Sequence, residues 1–227
     1  QFTGGELAEL PRLRSGGHMM TYAPESPGGL ELTKELVKQG WVASIGHTNA
    51  DTVTLDAAFN AGARHLTHFY NAMTGLHHRD VGVVGWALAN REATFDIIAD
   101  GIHVDPEMAA LACRVKGTDK VTLISDSVAP TGLGDGEFSL WGETISVRGG
   151  RTENERGSIA GSVISMLDAV KMMLRSGFTA AEVMAMASRN PARLLKIEDL
   201  LKDFGYVVID DNGELHEVVI NGRQVDL

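Results

Sequence analysis

The sequence predicts an α/β fold in which short buried strands alternate with helices, as in an α/β barrel. Short apolar runs recur along the chain, and segments with helical hydrophobic spacing lie between them. One strand and one helix together take roughly 20–35 residues, which is typical of a parallel sheet with crossover helices. Polar residues follow the apolar runs. These three observations predict a parallel sheet with polar side chains at the carboxyl ends of its strands.

Two of these runs, residues 41–45 and 64–69, show the pattern most clearly. Each is short and apolar and has the composition of a buried strand. Between them, Asn49 or Asp51 can cap a helix, and Gly62 can terminate it. This segment therefore predicts one complete strand–helix–strand unit.

The rest of the chain continues the same alternation and then changes character. The other predicted strands of the sheet are residues 18–23, 95–99 and 121–124, and the other predicted helices are residues 30–39, 106–115, 163–175 and 180–187. Residues 71–85 are rich in glycine, so we expect a long loop over the site. Small antiparallel strands are predicted at residues 137–141, 144–148, 207–209 and 217–220. Residues 1–17 are predicted to form a loop with a short helix.

Bulk properties limit the class of protein. The chain has 227 residues, which is compatible with one large domain. Its formal net charge of −10 argues against nucleic acid and against anionic membranes as partners. No secretory signal or long apolar span is recognisable, and the lone Cys113 fits a reducing compartment. We therefore expect a soluble, cytoplasmic protein.

Two histidines and one aspartate form the candidate catalytic group. His47 and His68 follow or end successive predicted strands and are 21 residues apart, about one strand–helix repeat. In a parallel barrel such positions share one face, which aims two imidazoles at one point, as a metal ion requires. Asp126 follows the last predicted strand of the sheet and is the candidate general base. Histidines at strand ends occur in barrels of many activities, so the spacing alone leaves the reaction open. No functional role is predicted for His65, which is expected to be structural.

Short motifs around these residues narrow the reaction. In chain order they are Gly46-His47-Thr48-Asn49-Ala50, Thr67-His68-Phe69-Tyr70-Asn71-Ala72-Met73, His78-Arg79, Ala99-Asp100-Gly101-Ile102-His103-Val104-Asp105, Ser125-Asp126 and Ala160-Gly161-Ser162. Together they resemble the N-acetylglucosamine-6-phosphate deacetylase family of the amidohydrolase superfamily. The resemblance implies a metal-dependent (β/α)8 TIM barrel, with about strands 4–8 of it in residues 1–200, and strands of a small β-sandwich in residues 201–227. It implies hydrolysis of the acetamido group of N-acetylglucosamine 6-phosphate to glucosamine 6-phosphate and acetate.

The resemblance also implies roles for individual residues. His47 and His68 would bind a divalent metal ion, with zinc or iron favoured by ligand type, and Asp126 would be the catalytic acid and base. The implied substrate-binding residues are Asn71, Ala72, Arg79, His103, Ile159, Ala160, Gly161 and Ser162. Arg79 would bind the phosphate, because a guanidinium offers a fork of hydrogen-bond donors. The family is commonly homodimeric, with some phosphate contacts that cross between subunits, so we expect a homodimer.

The sequence departs from the family pattern in two places. The family has a metal-binding glutamate in a Glu-Gly-Pro motif, which does not occur here, and Glu25 in Ala-Pro-Glu matches a different family position. Residues 196–206 are shorter than the corresponding family segment and differ from it. We therefore expect the chain to be the C-terminal part of such a deacetylase. Two alternatives stay open: another amidohydrolase that acts on a different amide, and a catalytically incomplete fragment that only binds a sugar phosphate or a partner chain.

Overall fold

A five-stranded parallel sheet is the centre of the fold. The computed structural model describes residues 3, 5–6, 9, 17–140, 142–202 and 205–226, so the helix predicted within residues 1–17 lies largely outside the described residues. The strands of the sheet are β1 (Met19–Tyr22), β2 (Val42–Ile45), β3 (His65–Leu66), β4 (Thr94–Ile98) and β5 (Val121–Ile124). Each strand pairs in parallel with the next one along the chain. The five predicted strands are confirmed, and their carboxyl ends lie at one edge of the sheet.

Helices connect the parallel strands, and further helices follow the sheet. The connecting helices are α1 (Gly29–Lys38), α2 (Thr52–Asn60), α3 (Gly82–Ala89) and α4 (Pro106–Lys116), and the later helices are α5 (Met166–Arg175), α6 (Ala180–Met184) and α7 (Asn190–Leu195), with a π-helical turn at Ala185–Arg189. Asp51 caps α2 by accepting a hydrogen bond of 2.8 Å from the Thr54 N–H. No helix in the described ranges has both the length and the hydropathy needed to cross a bilayer.

Helix α3 contradicts the prediction that residues 71–85 form one long loop. The helix begins at Gly82, and residues 83–87 are buried. Burial of these side chains outweighs the poor helix propensity of glycine. At Gly85 a Cβ atom would lie 2.7 Å from Leu76 Cδ1. The glycines of this segment therefore allow close packing, whereas their number alone had indicated a loop.

The hydrophobic core lies between the parallel sheet and the helices. Leu36 of α1, Leu55 of α2 and Phe95 of β4 have no exposed surface. Phe69, in the turn after β3, stacks on Phe95 with ring centroids 4.1 Å apart. Met173 of α5 belongs to the same buried cluster. The core thus reaches the turn that follows β3, which carries part of the candidate site.

Two antiparallel sheets follow in the described part of the chain. The first contains β6 (Gly136–Leu140), β7 (Glu143–Arg148) and β8 (Arg151–Asn154), and the second contains β9 (Gly205–Ile209), β10 (Leu215–Ile220) and β11 (Arg223–Val225). The predicted antiparallel strands are confirmed: β6 pairs with β7 and β9 pairs with β10, although Trp141 lies outside the described residues. Strands β8 and β11 were missed, because Arg-Thr-Glu-Asn and Arg-Gln-Val lack an apolar run. The domain boundary at residue 200 stays a prediction.

Leu55 in α2 provides a test of the core. Its replacement by alanine should lower the free energy of unfolding by about 2–5 kcal/mol, because the lost apolar atoms leave a cavity. The same replacement at Leu133, which is 66% exposed, should change that free energy by less than about 0.5 kcal/mol. Urea denaturation of both variants measures the two losses. Equal losses would contradict the placement of α2 against the core.

Candidate functional site

Three predicted site residues occupy equivalent positions at the carboxyl edge of the parallel sheet. His47, His68 and Asp126 each lie two residues after the last residue of a strand, in β2, β3 and β5 respectively. Their φ angles are all positive, at 48°, 38° and 50°. This left-handed conformation costs a non-glycine residue about 1–2 kcal/mol. Such residues cluster at functional sites, where the surrounding structure holds them in place.

The imidazoles of His47 and His68 lie side by side. Their ring centroids are 4.5 Å apart, and the ring planes meet at 80°. His68 is buried, and its Nδ1 atom has no hydrogen-bond partner among the described residues. A buried polar atom without a partner is unfavourable and calls for a physical explanation. A metal ion bound to Nδ1 would explain it, because a metal ion accepts the lone pair of an imidazole nitrogen.

One cleft contains most of the predicted site residues. Its volume is about 690 Å³, within the range of small-molecule sites. The predicted residues that line it are His47, His68, Asn71, Ala72, His103, Asp126, Ile159, Ala160 and Gly161. Leu140 of β6 and Ile145 of β7 also line the cleft, so the first antiparallel sheet contributes to its wall. The structure thus brings together residues from five separate motifs.

Two predicted substrate-binding residues do not line this cleft. Arg79 is exposed, and its Nη1 atom lies 2.8 Å from Nε2 of the neighbouring His78. Ser162 is buried, and its hydroxyl donates a hydrogen bond to the carbonyl of Ser125. The Ser162 N–H donates to the Asp126 carbonyl over 2.8 Å. In this structure Ser162 therefore holds the turn that carries Asp126.

Burial changes the pKa values of the groups that line the cleft. It raises the pKa of the Asp126 carboxyl, and the nearby Asp96 raises it further. The surrounding histidines, led by His68 and His103, oppose this shift. Burial lowers the pKa of His47, and the adjacent His68 lowers it further against the opposing charge of Asp126. His47 is therefore neutral at pH 7, which is the protonation state that binds a metal ion.

The donor set fits part of a metal site. His47 and His68 place two imidazoles next to each other, and the buried Nδ1 atom of His68 lacks a protein partner. Within the described ranges, no group of three or more His, Cys, Asp or Glu side chains is arranged to hold a metal ion. Zinc sites in proteins generally have three or four protein ligands. The two imidazoles therefore account for two of the three or four protein ligands that a zinc site generally has.

Asp100, which the sequence analysis missed as a site residue, orients His103. It accepts hydrogen bonds of 2.8 Å from the N–H groups of Ile102 and His103, and one of 2.6 Å from His103 Nδ1. Burial alone would raise the pKa of the Asp100 carboxyl, but the hydrogen bond from the His103 side chain and those from the two N–H groups lower it. The carboxylate accepts the hydrogen bond from the Nδ1 side of the ring, which leaves Nε2 for contacts in the cleft. The available signal was that Asp100 lies two residues after β4, as the other site residues do after their strands.

Glu25, in the loop after β1, contacts the loop after β2, which in turn contacts the loop after β3. Its carboxylate accepts a hydrogen bond of 2.5 Å from Thr48 Oγ1 and one of 2.8 Å from the Asn49 N–H. The Thr48 N–H in turn donates to the Ala72 carbonyl over 3.0 Å. These contacts hold the chain immediately after His47.

Comparison with known proteins identifies the family. Residues 30–225 match the model of the Amidohydrolase family, so the chain belongs to this family of hydrolases. It is 36% identical over 229 residues to the N-acetylgalactosamine-6-phosphate deacetylase of Escherichia coli O157:H7, covering 96% of this chain and 60% of that protein. It is also 36% identical over 227 residues to the N-acetylglucosamine-6-phosphate deacetylase of Bacillus subtilis (strain 168), covering 96% of this chain and 57% of that protein. The chain therefore spans less than two thirds of the length of these relatives.

A solved structure agrees with these relatives. It is a mutant of N-acetyl-D-glucosamine-6-phosphate deacetylase from Mycobacterium smegmatis, in complex with N-acetyl-D-glucosamine-6-phosphate. Its sequence is 29% identical, and the TM-score is 0.81 over 91% of this chain and 57% of that one. The fold described above is thus shared with an enzyme of the same kind as the curated relatives.

Gly161 provides a test of the packing around Asp126. Its φ angle is 68°, and a Cβ atom would lie 2.6 Å from Val128 Cγ1 and 2.9 Å from the Asp126 carbonyl oxygen. At Gly132 the φ angle is 80°, but no atom lies within 4 Å of the Cβ position. Both replacements by alanine carry the backbone strain, and only Gly161→Ala adds the clash. Its loss of unfolding free energy should therefore exceed that of Gly132→Ala by about 1–3 kcal/mol, measured by urea denaturation. A smaller loss at Gly161 than at Gly132 would contradict this packing.

Proposed function

We propose that the protein hydrolyses the acetamido group of N-acetylglucosamine 6-phosphate to give glucosamine 6-phosphate and acetate, in the breakdown of amino sugars. The observation that carries the proposal is the convergence of His47, His68 and Asp126 on one cleft. Membership of the Amidohydrolase family and the deacetylase relatives support the reaction class. The Mycobacterium smegmatis complex supports an amino-sugar phosphate as the substrate.

His47 and His68 are the proposed metal ligands of this chain. A divalent cation held there, with zinc or iron favoured by imidazole ligands, would polarise the amide carbonyl and lower the pKa of the attacking water. The neutral His47 and the unpartnered Nδ1 atom of His68 suit this role. The family resemblance assigns a further ligand to a Glu-Gly-Pro motif, which is not in this sequence.

Asp126 is the proposed proton carrier. Its carboxylate takes a proton from the attacking water while the oxygen bonds to the acetyl carbon. It then delivers that proton to the nitrogen as the carbon–nitrogen bond breaks, so that the amine and acetate leave. Burial raises the pKa of this carboxyl towards the working pH, where a group that both accepts and donates a proton is most effective.

The other cleft residues are proposed to bind the sugar phosphate. Asn71 and Ala72 border the two histidines, and residues 159–161 line the cleft together with Asp126. His103 is oriented by its neighbouring carboxylate and can contact the substrate through Nε2. In this proposal these residues would line the cleft around the bound acetamido group.

We further propose the larger arrangement in which this cleft works. The parallel sheet would form about strands 4–8 of a (β/α)8 barrel, and residues 201–227 would belong to a small β-sandwich. Sequential parallel pairing of the strands supports the barrel. The protein would act as a cytoplasmic homodimer. Arg79, which lies outside the cleft of its own chain, would contact the phosphate across the dimer.

The role of Asp126 can be tested with Asp126→Asn. The amide cannot accept the proton from water, so turnover should fall by about 10²–10⁴-fold, while binding of the sugar phosphate is retained. The rate of acetate release measures turnover, and product-inhibition constants measure binding of the sugar phosphate. Asp119→Asn is the matched control, because Asp119 is exposed next to the opposite end of the same strand. Near-normal turnover in Asp126→Asn would exclude the assigned role.

The phosphate role of Arg79 can be tested with Arg79→Ala. Loss of a charge-assisted contact of about 1.5–3 kcal/mol should raise the KM for the sugar phosphate by at least about tenfold, with a much smaller effect on kcat. The control is Arg91→Ala, which removes another exposed guanidinium. Steady-state kinetics with N-acetylglucosamine 6-phosphate and with its galactosamine epimer measures both variants. An unchanged KM would exclude the phosphate role of Arg79.

A further inference from the structure

We infer that Asp96, supported by His65, is a positioning residue for His68. Asp96 holds the backbone of His68 in the left-handed conformation that places its imidazole beside that of His47. Neither Asp96 nor His65 lines the cleft, so both would act through His68. The inference rests on the proposed function, because it assumes that His68 binds a cation.

Asp96 contacts the turn after β3 at two successive residues. Its Oδ1 atom accepts a short hydrogen bond from the His68 N–H. Its main-chain carbonyl accepts a hydrogen bond of 2.8 Å from the Phe69 N–H. Asp96 is 2% exposed, so water cannot take over these contacts. A hydrogen bond to a buried carboxylate is among the stronger ones in a protein.

His65 fixes the second oxygen of the same carboxylate. Its Nε2 atom lies 3.1 Å from Asp96 Oδ2, and its Nδ1 atom lies 2.8 Å from Thr94 Oγ1. The His65 side chain has no exposed surface. With both ring nitrogens engaged, the imidazole cannot rotate without the loss of a buried hydrogen bond. The carboxylate of Asp96 is therefore held with one oxygen towards His65 and the other towards the His68 N–H.

His68 needs this support because its backbone is strained. Its φ angle of 38° lies in the region that costs a non-glycine residue about 1–2 kcal/mol. Without the carboxylate, the buried N–H of His68 would also lose its acceptor, and the turn could relax towards an extended conformation. Such a relaxation would move the His68 ring away from His47. Outer-shell groups that orient metal-binding histidines affect metal affinity by about 10–100-fold.

The test measures the affinity of the protein, at its natural length, for Zn²⁺ by competition with a chelator. Asp96→Ala should weaken Zn²⁺ binding by about 10–100-fold. Asn190→Ala is the matched control for a general loss of stability, since its buried amide donates to the Thr118 and Val121 carbonyls, both at 2.7 Å, near the start of β5. That variant should unfold more easily but bind Zn²⁺ within about twofold of the unmodified protein.

Asp96→Asn separates geometry from charge. Asparagine keeps an oxygen for the His68 N–H, and its amide can donate to Nε2 if His65 adopts the other tautomer. Zn²⁺ affinity should therefore stay within about threefold of that of the unmodified protein. A loss as large as that of Asp96→Ala would overturn the positioning role, because charge would then be the cause.

The remaining outcomes distinguish this inference from the proposed function. If the unmodified protein binds one Zn²⁺ and Asp96→Ala binds it equally well, the positioning role is wrong and the proposed function stands. The positioning role is also wrong, and the proposed function also stands, if Asp96→Ala and Asn190→Ala weaken Zn²⁺ binding to the same extent. If the unmodified protein binds no stoichiometric divalent cation, both proposals fail together.

Discussion

The sequential parallel pairing of five strands is the constraint on which the site depends. It puts every carboxyl end at one edge of the sheet, so residues far apart in the chain become neighbours. The chain then turns in the same way after β2, β3 and β5, with a left-handed residue two positions beyond each strand. His47, His68 and Asp126 are those residues, and all three line one cleft.

Each of these strained turns is held by a different part of the chain. The carboxylate of Glu25 accepts a hydrogen bond from the segment after His47. The N–H of Ser162 donates a hydrogen bond to the carbonyl of Asp126. The turn at His68 is held by the carboxylate of Asp96. The energetic cost of the left-handed conformation is thus offset by contacts made outside the cleft. The groups that line the site depend on a second set of residues that need not touch a substrate.

The sequence predicts the strands and the polar residues that follow them because both are local patterns. Helix α3 was missed because its glycines indicate a loop, whereas burial of its side chains decides its structure. Most of the predicted site residues share the cleft, but the motif that contains Ser162 could not show that its hydroxyl donates to the Ser125 carbonyl. Asp96 lies within an apolar strand, 28 residues from His68, so only the paired strands show its role. Local sequence patterns do not show contacts between segments that are far apart in the chain.

Burial reduces the charge of the cleft in two ways, and both lower the stability of the folded chain. The pKa of Asp126 is raised above its ordinary value of 3.8. The free energy of unfolding therefore falls as the pH rises from 3.8 through the raised pKa. Because the pKa of His47 is lowered, stability falls as the pH drops below 6.5. A cation beside them would favour the ionised carboxylate and would need the neutral imidazole that is already present. The same burial that lowers stability in these two pH ranges therefore prepares the cleft for a positively charged ligand.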